Sequence, residues 1–101
     1  MYKITRCATL KNASFLPKAI GWAKEVTGFV NKNYPGFDIS VGVEMFGSTN
    51  IHWSYQAKSL AELEAVNAKL LQDQKYWAML DNSKELWVEG SLKDTIVMIV
   101  E

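Results

Sequence analysis

His52, the only histidine in the 101-residue chain, is the side chain best suited to proton transfer near neutral pH. It lies in the alternating stretch "NIHWSYQAKS", residues 50–59. An imidazole placed against a substrate could act there as a general base, and Glu44 could orient it or act as an acid. The alternative is that His52 is an ordinary surface or interface residue beside a turn. The sequence leaves both interpretations open.

Four further residues are candidates for holding a substrate: Arg6, Gly42, Ser54 and Gln56. The side chains of Arg6, Ser54 and Gln56 could hydrogen-bond an oxygen-bearing molecule. Gly42 has no side chain and would leave room for a ligand. The alternative is that Ser54 and Gln56 face solvent or a wet interface.

Residue types that hold metals and cofactors are scarce. Cys7 is the only cysteine, so the chain cannot form an internal disulfide, and a lone cysteine is typical of a buried structural position. With one cysteine and one histidine, a metal site would depend on carboxylates, and no spaced cluster indicates one. The chain also lacks a Gly-rich phosphate loop, a Gly-x-Ser-x-Gly motif and a dinucleotide motif. We therefore predict no metal and no cofactor.

The composition excludes several classes of protein. Lys and Arg together number 11, as do Asp and Glu, and the net charge is zero without a basic run. Binding to nucleic acid or to a membrane surface usually requires clustered positive charge, so neither is expected. The N-terminal residues do not resemble a signal peptide, and no stretch approaches the roughly 20 apolar residues of a membrane span. We expect a cytoplasmic protein with a single domain, residues 1–101.

Strands and helices that would position these residues can be placed from periodicity. Residues 2–10 are typical of a strand, and "NASFLPKAIGWAKEVTGFVNKNYPG" predicts a helix with Ser14 as its N-cap. "DISVGVEMF" and "IHWSYQA" alternate and are joined by the turn residues "GSTN", which predicts a hairpin.

The hairpin should have an apolar and a polar face. Ile51, Trp53 and Tyr55 share one face, which we expect beneath the helices. The opposite face carries Ser40 and five of the candidate residues: Gly42, Glu44, His52, Ser54 and Gln56.

The second helical region begins with the capping box "SLAE", with Ser59 as the cap. Its apolar stripe changes direction between Leu70 and Tyr76, which predicts a break near Asp73. Gly90 is predicted to terminate this region. "KDTIVMIV" is predicted to be the last strand, and its unbroken apolar run indicates cover on both faces.

The resulting order, βαββαβ, predicts a ferredoxin-like α+β fold: a four-stranded antiparallel sheet with both helices on one face. The second face would remain bare, although the last strand is apolar on both sides. Burial of this face against a second copy would resolve the conflict, so we predict a homodimer.

The segment "WSYQAKSLAELEAVNAKLLQDQKYWAML" combines an aromatic strand, a Ser-capped helix and an Asp-x-x-Tyr step into a second helix. It resembles NIPSNAP-like members of the dimeric α+β barrel superfamily, which also includes antibiotic-biosynthesis-monooxygenase-like domains. The resemblance implies that two sheets pack face to face in a homodimer, often around a small-molecule cavity. The Asn, Trp and His that heme degraders of this superfamily use cannot be placed here.

Two functions follow from these observations. The first is a homodimeric barrel of unassigned role that binds a small apolar or aromatic molecule or serves as a structural module. The alternative is a cofactor-independent monooxygenase, isomerase or cyclase with His52 as general base. An enclosed pocket reached by His52 or Glu44 would favour the enzyme.

Overall fold

The computed structural model describes residues 1–44 and 49–100, and its elements follow the predicted order. The strands are β1 (Tyr2–Thr9), β2 (Ser40–Val43), β3 (Asn50–Ala57) and β4 (Lys93–Met98). The helices are α1 (Leu16–Asn33), α2 (Leu60–Leu71) and α3 (Gln74–Asp81). The strands form one antiparallel sheet in the order β2-β3-β1-β4. The predicted α+β, ferredoxin-like fold is confirmed.

The start of α1 differs from the prediction. A 3₁₀ turn, Ala13–Phe15, precedes the helix, and the side chain of Asn12 accepts a hydrogen bond from the backbone N–H of Ser14 at 2.8 Å. Ser14 is therefore inside the turn and is not the N-cap. Asn12 was the better candidate because its side-chain oxygen reaches an N–H two residues further on.

The second helical region breaks where the apolar stripe rotates. Ser59 caps α2 as predicted, and Asp73 caps α3 by accepting hydrogen bonds from two backbone N–H groups. The predicted end at Gly90 is wrong, because α3 ends at Asp81. Beyond it the Ser83 hydroxyl donates to the carbonyl of Leu80, and the chain turns away from the helix axis. Gly90 lies in the loop before β4, at a φ of 78° that favours glycine.

The helices cover the face of the sheet that carries Ile51, Trp53 and Tyr55, as predicted. Ile51 is completely buried, and the rings of Trp53 and Tyr55 contact Trp22 and Phe37 respectively. Two groups of buried residues form the core: Val26, Val30, Phe37, Leu70 and Tyr76, and then Leu10, Ala19 and Leu86. His52 therefore belongs to the opposite face, which we call the open face.

The open face is more polar than the sequence analysis expected. Residues that share its parity across the four registers are Lys3, Thr5, Cys7, Thr9, Ser40, Gly42, Glu44, Asn50, His52, Ser54, Gln56, Lys93, Thr95 and Val97. The exposed apolar side chains instead gather on β4, where Ile96, Val97 and Met98 are all more than half exposed. The predicted cover of this strand is not present within one chain, since all six residues of β4 are exposed; β4 is also an edge strand. The predicted extension of β2 through Met45 and Phe46, and the first half of the turn "GSTN", lie outside the described residues.

Candidate functional site

Three side chains of types that can take part in chemistry meet on the open face: Cys7, Glu44 and His52. In the sheet register His52 lies opposite Cys7 of β1 and opposite Gly42 of β2. Glu44 follows Gly42 by two residues and so points to the same face. The Nε2 atom of His52 lies 2.6 Å from Oε1 of Glu44 and 3.8 Å from Sγ of Cys7.

Neighbouring side chains hold Glu44 in its charged form. Asn50 and then His52 lower the pKa of this carboxyl by hydrogen bonding to it. Asn50 is held in turn by Thr9, whose hydroxyl donates to the Asn50 side-chain oxygen at 2.5 Å. Burial raises the pKa of the Cys7 thiol, and the charge of Glu44 adds to this effect. Glu44 is thus in contact with His52, which the sequence suggested it could orient.

Three of the four predicted substrate-binding residues lie on the open face with His52. Gly42 is its neighbour, and no described side chain approaches within 4 Å of the position that a Cβ of Gly42 would take. Ser54 and Gln56 follow along the same strand and pair with Thr5 and Lys3.

Arg6 does not join this group. It shares its parity in β1 with the buried residues Ile4 and Ala8 and therefore lies on the helix-covered face. There it forms a bidentate ion pair with Asp94, with N···O distances of 2.7 and 2.8 Å. The expectation that Arg6 acts beside His52 is wrong, since the sheet separates the two side chains.

A cavity of about 660 Å³ lies between the sheet and the helices, and we call it the cleft. Its wall combines side chains of β1 and β3, of all three helices and of the segment 83–92 that leads to β4. Its lining includes five aromatic residues and one ion pair: Trp22, Trp53, Tyr55, Tyr76 and Trp87, with Arg6 and Asp94.

Three tryptophans form a triangle in the wall of the cleft. The ring centroids of Trp22, Trp53 and Trp87 are 5.7–6.2 Å apart in edge-to-face arrangements. Two of the indole N–H groups are satisfied: Trp22 donates to the carbonyl of Met79 at 2.8 Å, and Trp87 donates to the Ser83 hydroxyl at 3.1 Å. These bonds fix the rings, so the aromatic wall is preorganised.

Polar and charged side chains also line the cleft. Arg6 and Asp94 lie where the cavity meets solvent, since both side chains are about two-fifths exposed. The hydrogen bond between them raises the pKa of Arg6 and lowers that of Asp94, so both are charged at neutral pH. The Thr27 hydroxyl, in the wall, has no hydrogen-bond partner among the described residues. The wall of the cleft is mainly apolar, and its charged side chains carry no net charge: Arg6, Lys11, Lys84, Glu85, Glu89 and Asp94.

The cleft was not predicted from the sequence. Trp53 was expected beneath the helices, where an aromatic residue usually fills a core. Part of the signal was present in β1, where Arg6 alternates in phase with Ile4 and Ala8. A charged residue on an apolar face indicates that this face has a polar edge or a cavity.

No protein-family model and no curated protein matches the chain. Solved structures do match. Atu4242 of Agrobacterium tumefaciens, a NIPSNAP family protein of unknown function, superimposes with a TM-score of 0.82 at 18% identity, over 99% of this chain and 94% of the other. An uncharacterized NIPSNAP domain protein from Burkholderia xenovorans gives a TM-score of 0.81 at 11% identity, over 99% and 95%. The chain has their fold.

The fold extends to a further group of proteins. An antibiotic-biosynthesis-monooxygenase-like protein from Deinococcus radiodurans matches with a TM-score of 0.73 at 13% identity, over 100% of this chain and 94% of the other. The predicted resemblance to NIPSNAP-like and monooxygenase-like domains is confirmed at the level of the fold. In the described ranges, 1–44 and 49–100, no helix has both the length and the apolar character needed to cross a bilayer.

Proposed function

We propose that the protein binds one small aromatic molecule in the cleft between sheet and helices. The observation that carries this proposal is the preorganised aromatic wall around about 660 Å³ of space. This volume is within the range of roughly 300–1,000 Å³ that is typical of small-molecule sites. A well-packed core of this size has few voids larger than a water molecule, so the space points to a ligand.

The wall favours a flat, neutral ligand. An indole ring can pack against a second aromatic ring through its edge or its face. Such aromatic pairs prefer centroid distances of about 4.5–7 Å. The ion pair of Arg6 and Asp94 has no net charge, and two donors of the guanidinium already bind the carboxylate. An anionic ligand would have to compete with Asp94 for Arg6, whereas a neutral hydroxyl or carbonyl could bond at the edge of the pair.

The enzyme alternative with His52 as general base is less well supported. Among the described residues that line the cleft, neither His52 nor Glu44 is found. Both lie across the sheet, so neither could remove a proton from a molecule bound in the cleft. The ligand-binding function predicted from the sequence is retained, but its site moves from the open face to the opposite side of the sheet.

We further propose that two copies associate through β4. Its exposed residues Ile96, Val97 and Met98 form an apolar edge, which proteins usually cover. The homodimer predicted from the sequence therefore keeps its support, although the apolar surface is the edge strand and not the open face as a whole.

Fluorescence titration can test the ligand proposal. Three of the four tryptophans line the cleft, and Trp77, which is about half exposed, does not. In the variant Trp77→Phe all tryptophan emission comes from the cleft. We expect 1-naphthol to quench it saturably with one molecule per chain. 1-Naphthoate, which carries a carboxylate at the same ring position, should bind more weakly.

A pair of matched substitutions locates the binding site. Val26→Phe introduces a ring into the wall of the cleft and should weaken 1-naphthol binding by about tenfold or more, the equivalent of about 1.4 kcal/mol. Ala61→Phe adds the same ring on the exposed side of α2 and should leave binding unchanged. Equal affinity in both variants, or no saturable quenching, would show the proposal wrong.

A further inference from the structure

The three polar groups of the open face converge on one point. The Nε2 atom of His52 lies within 4 Å of both Sγ of Cys7 and Oε1 of Glu44, and the three ligand atoms all lie within 4.8 Å of one another. Cys7 lies in β1, His52 lies in β3, and Glu44 directly follows the last residue of β2. Backbone pairing of β1, β2 and β3 therefore sets their spacing, and no flexible loop has to close for them to meet.

This geometry does not suit a Cys–His–Glu proton relay. In such a relay the acid binds one ring nitrogen and the nucleophile approaches the other. Here Glu44 and Cys7 both approach Nε2, and one nitrogen cannot donate a proton to the carboxylate while accepting one from the thiol. Convergence of a sulfur, a nitrogen and an oxygen on one point is instead the arrangement of ligands around a metal ion.

The distance between Cys7 and His52 is close to that in a tetrahedral zinc site, whereas the distance between Glu44 and His52 is shorter. Zinc bonds of about 2.3 Å to sulfur and 2.0–2.1 Å to nitrogen place these two ligands about 3.6 Å apart, against the 3.8 Å between Cys7 and His52. The corresponding oxygen–nitrogen separation is about 3.4 Å, so Glu44 would move away from His52 by less than about 1 Å. Its side chain is 36% exposed and free to make this adjustment.

The surroundings complete a second shell. Asn50, which Thr9 holds by a hydrogen bond, lies beside Glu44 and is a candidate outer-shell partner of this ligand. Lys93 lies opposite Cys7 in β4, and its positive charge opposes a cation. The thiolate and the carboxylate together carry two negative charges, so the site remains net negative with Lys93 included. The open space beside Gly42 leaves a fourth position accessible.

We propose that Cys7, Glu44 and His52 bind one zinc ion on the open face of the sheet. Thiolate and imidazole ligands favour zinc over magnesium or calcium, which prefer oxygen ligands only. Three protein ligands and one free position are the pattern of zinc sites that bind water or a substrate group. This site is separate from the cleft, because the sheet lies between them.

Cobalt(II), a spectroscopic substitute for zinc, tests the site directly. Titration of the reduced, metal-free protein should give one bound cobalt ion per chain with visible d–d bands and a thiolate-to-cobalt charge-transfer band in the near ultraviolet. One equivalent of zinc should remove these bands. Absence of the charge-transfer band from the wild-type protein would overturn the proposal, because Cys7 is the only thiol.

Single substitutions identify the other ligands. Glu44→Gln and His52→Gln should each weaken cobalt binding by about 100-fold or more, beyond the 10–100-fold loss typical of second-shell changes. Ser54→Ala is the control, because Ser54 lies on the same face of β3, two residues from His52. This variant should bind cobalt as the wild type does. Circular dichroism of the metal-free proteins checks the fold. Glu44→Gln, an isosteric change of a half-buried side chain, remains informative if another variant unfolds. Unchanged affinity in Glu44→Gln or His52→Gln would overturn the site.

Discussion

At the scale of single residues, Asp73 shows how one side chain serves two elements. Its Oδ1 atom accepts hydrogen bonds from the backbone N–H groups of Lys75 and Tyr76, which caps α3. Its Oδ2 atom accepts a hydrogen bond from the Tyr34 hydroxyl at the end of α1. The bond from Tyr34 and those from the backbone lower the pKa of Asp73. The break between α2 and α3 is thereby tied to α1.

Asp73 should make stability depend on pH in a defined direction. Because its pKa is lower in the folded than in the unfolded chain, the ionised carboxylate stabilises the fold fully above the unfolded value of about 3.9. This contribution is lost as the pH falls through the folded value. Asp73→Asn keeps a capping oxygen but no charge, so urea denaturation should show the wild type more stable at pH 7 and the difference shrinking below about pH 4. A difference that grows towards low pH would contradict this assignment.

At the scale of elements, the side chain of Asn31 connects α1 to the start of β2. Its amide donates to the carbonyl of Ile39 at 3.1 Å and accepts from the Ile39 N–H at 2.9 Å. The backbone of Ile39 thus finds both of its partners on the helix. This contact places the strand that carries Gly42, and Glu44 just beyond it, relative to the rest of the sheet.

Loss of the Asn31 amide should destabilise the fold. Asn31→Ala leaves the partly buried N–H and C=O of Ile39 without partners, so we expect the free energy of unfolding to fall by about 1–3 kcal/mol. Asn33→Ala is the matched control, because its side chain bonds only the exposed carbonyl of Phe29 in the same helix. Its effect should be smaller in the same urea denaturation experiment. Equal losses in the two variants would show that the connection contributes nothing specific.

At the scale of the whole molecule, the sheet separates two chemically different surfaces. Its covered face bounds the aromatic cleft, while its open face is mainly polar and carries Cys7, Glu44 and His52. The edge strand β4 adds exposed apolar residues to both surfaces. The two proposed sites and the proposed association surface thus share one small chain.

Association through β4 should double the molecular mass of the protein in solution. We expect light scattering at micromolar concentration to give about twice the chain mass of 11.4 kDa. Val97→Lys places a charge in the proposed interface and should shift the protein towards the monomer. Leu71→Lys changes a similarly exposed apolar residue at the end of α2 and should leave the dimer intact. A monomeric wild-type protein would contradict the homodimer.

Local patterns predicted much of the fold. The element order, the break near Asp73, the Ser59 cap and the orientation of Trp53 and His52 are all confirmed, because each depends on residues only a few positions apart. The errors at Ser14 and Gly90 are local too. There a competing hydrogen bond, which Asn12 accepts in one case and Ser83 donates in the other, decided where the helix begins or ends.

The sequence by itself determined which residues share a face, because side-chain parity within a strand is a property of the strand alone. It could not determine which residues of distant strands lie side by side. The pairing of Cys7 with His52, the separation of Arg6 from His52 by the sheet, and the space enclosed by Trp22, Trp53 and Trp87 depend on strand register and helix packing. These are set by the balance of contacts over the whole core, so only the tertiary structure decided where the chemistry of this protein lies.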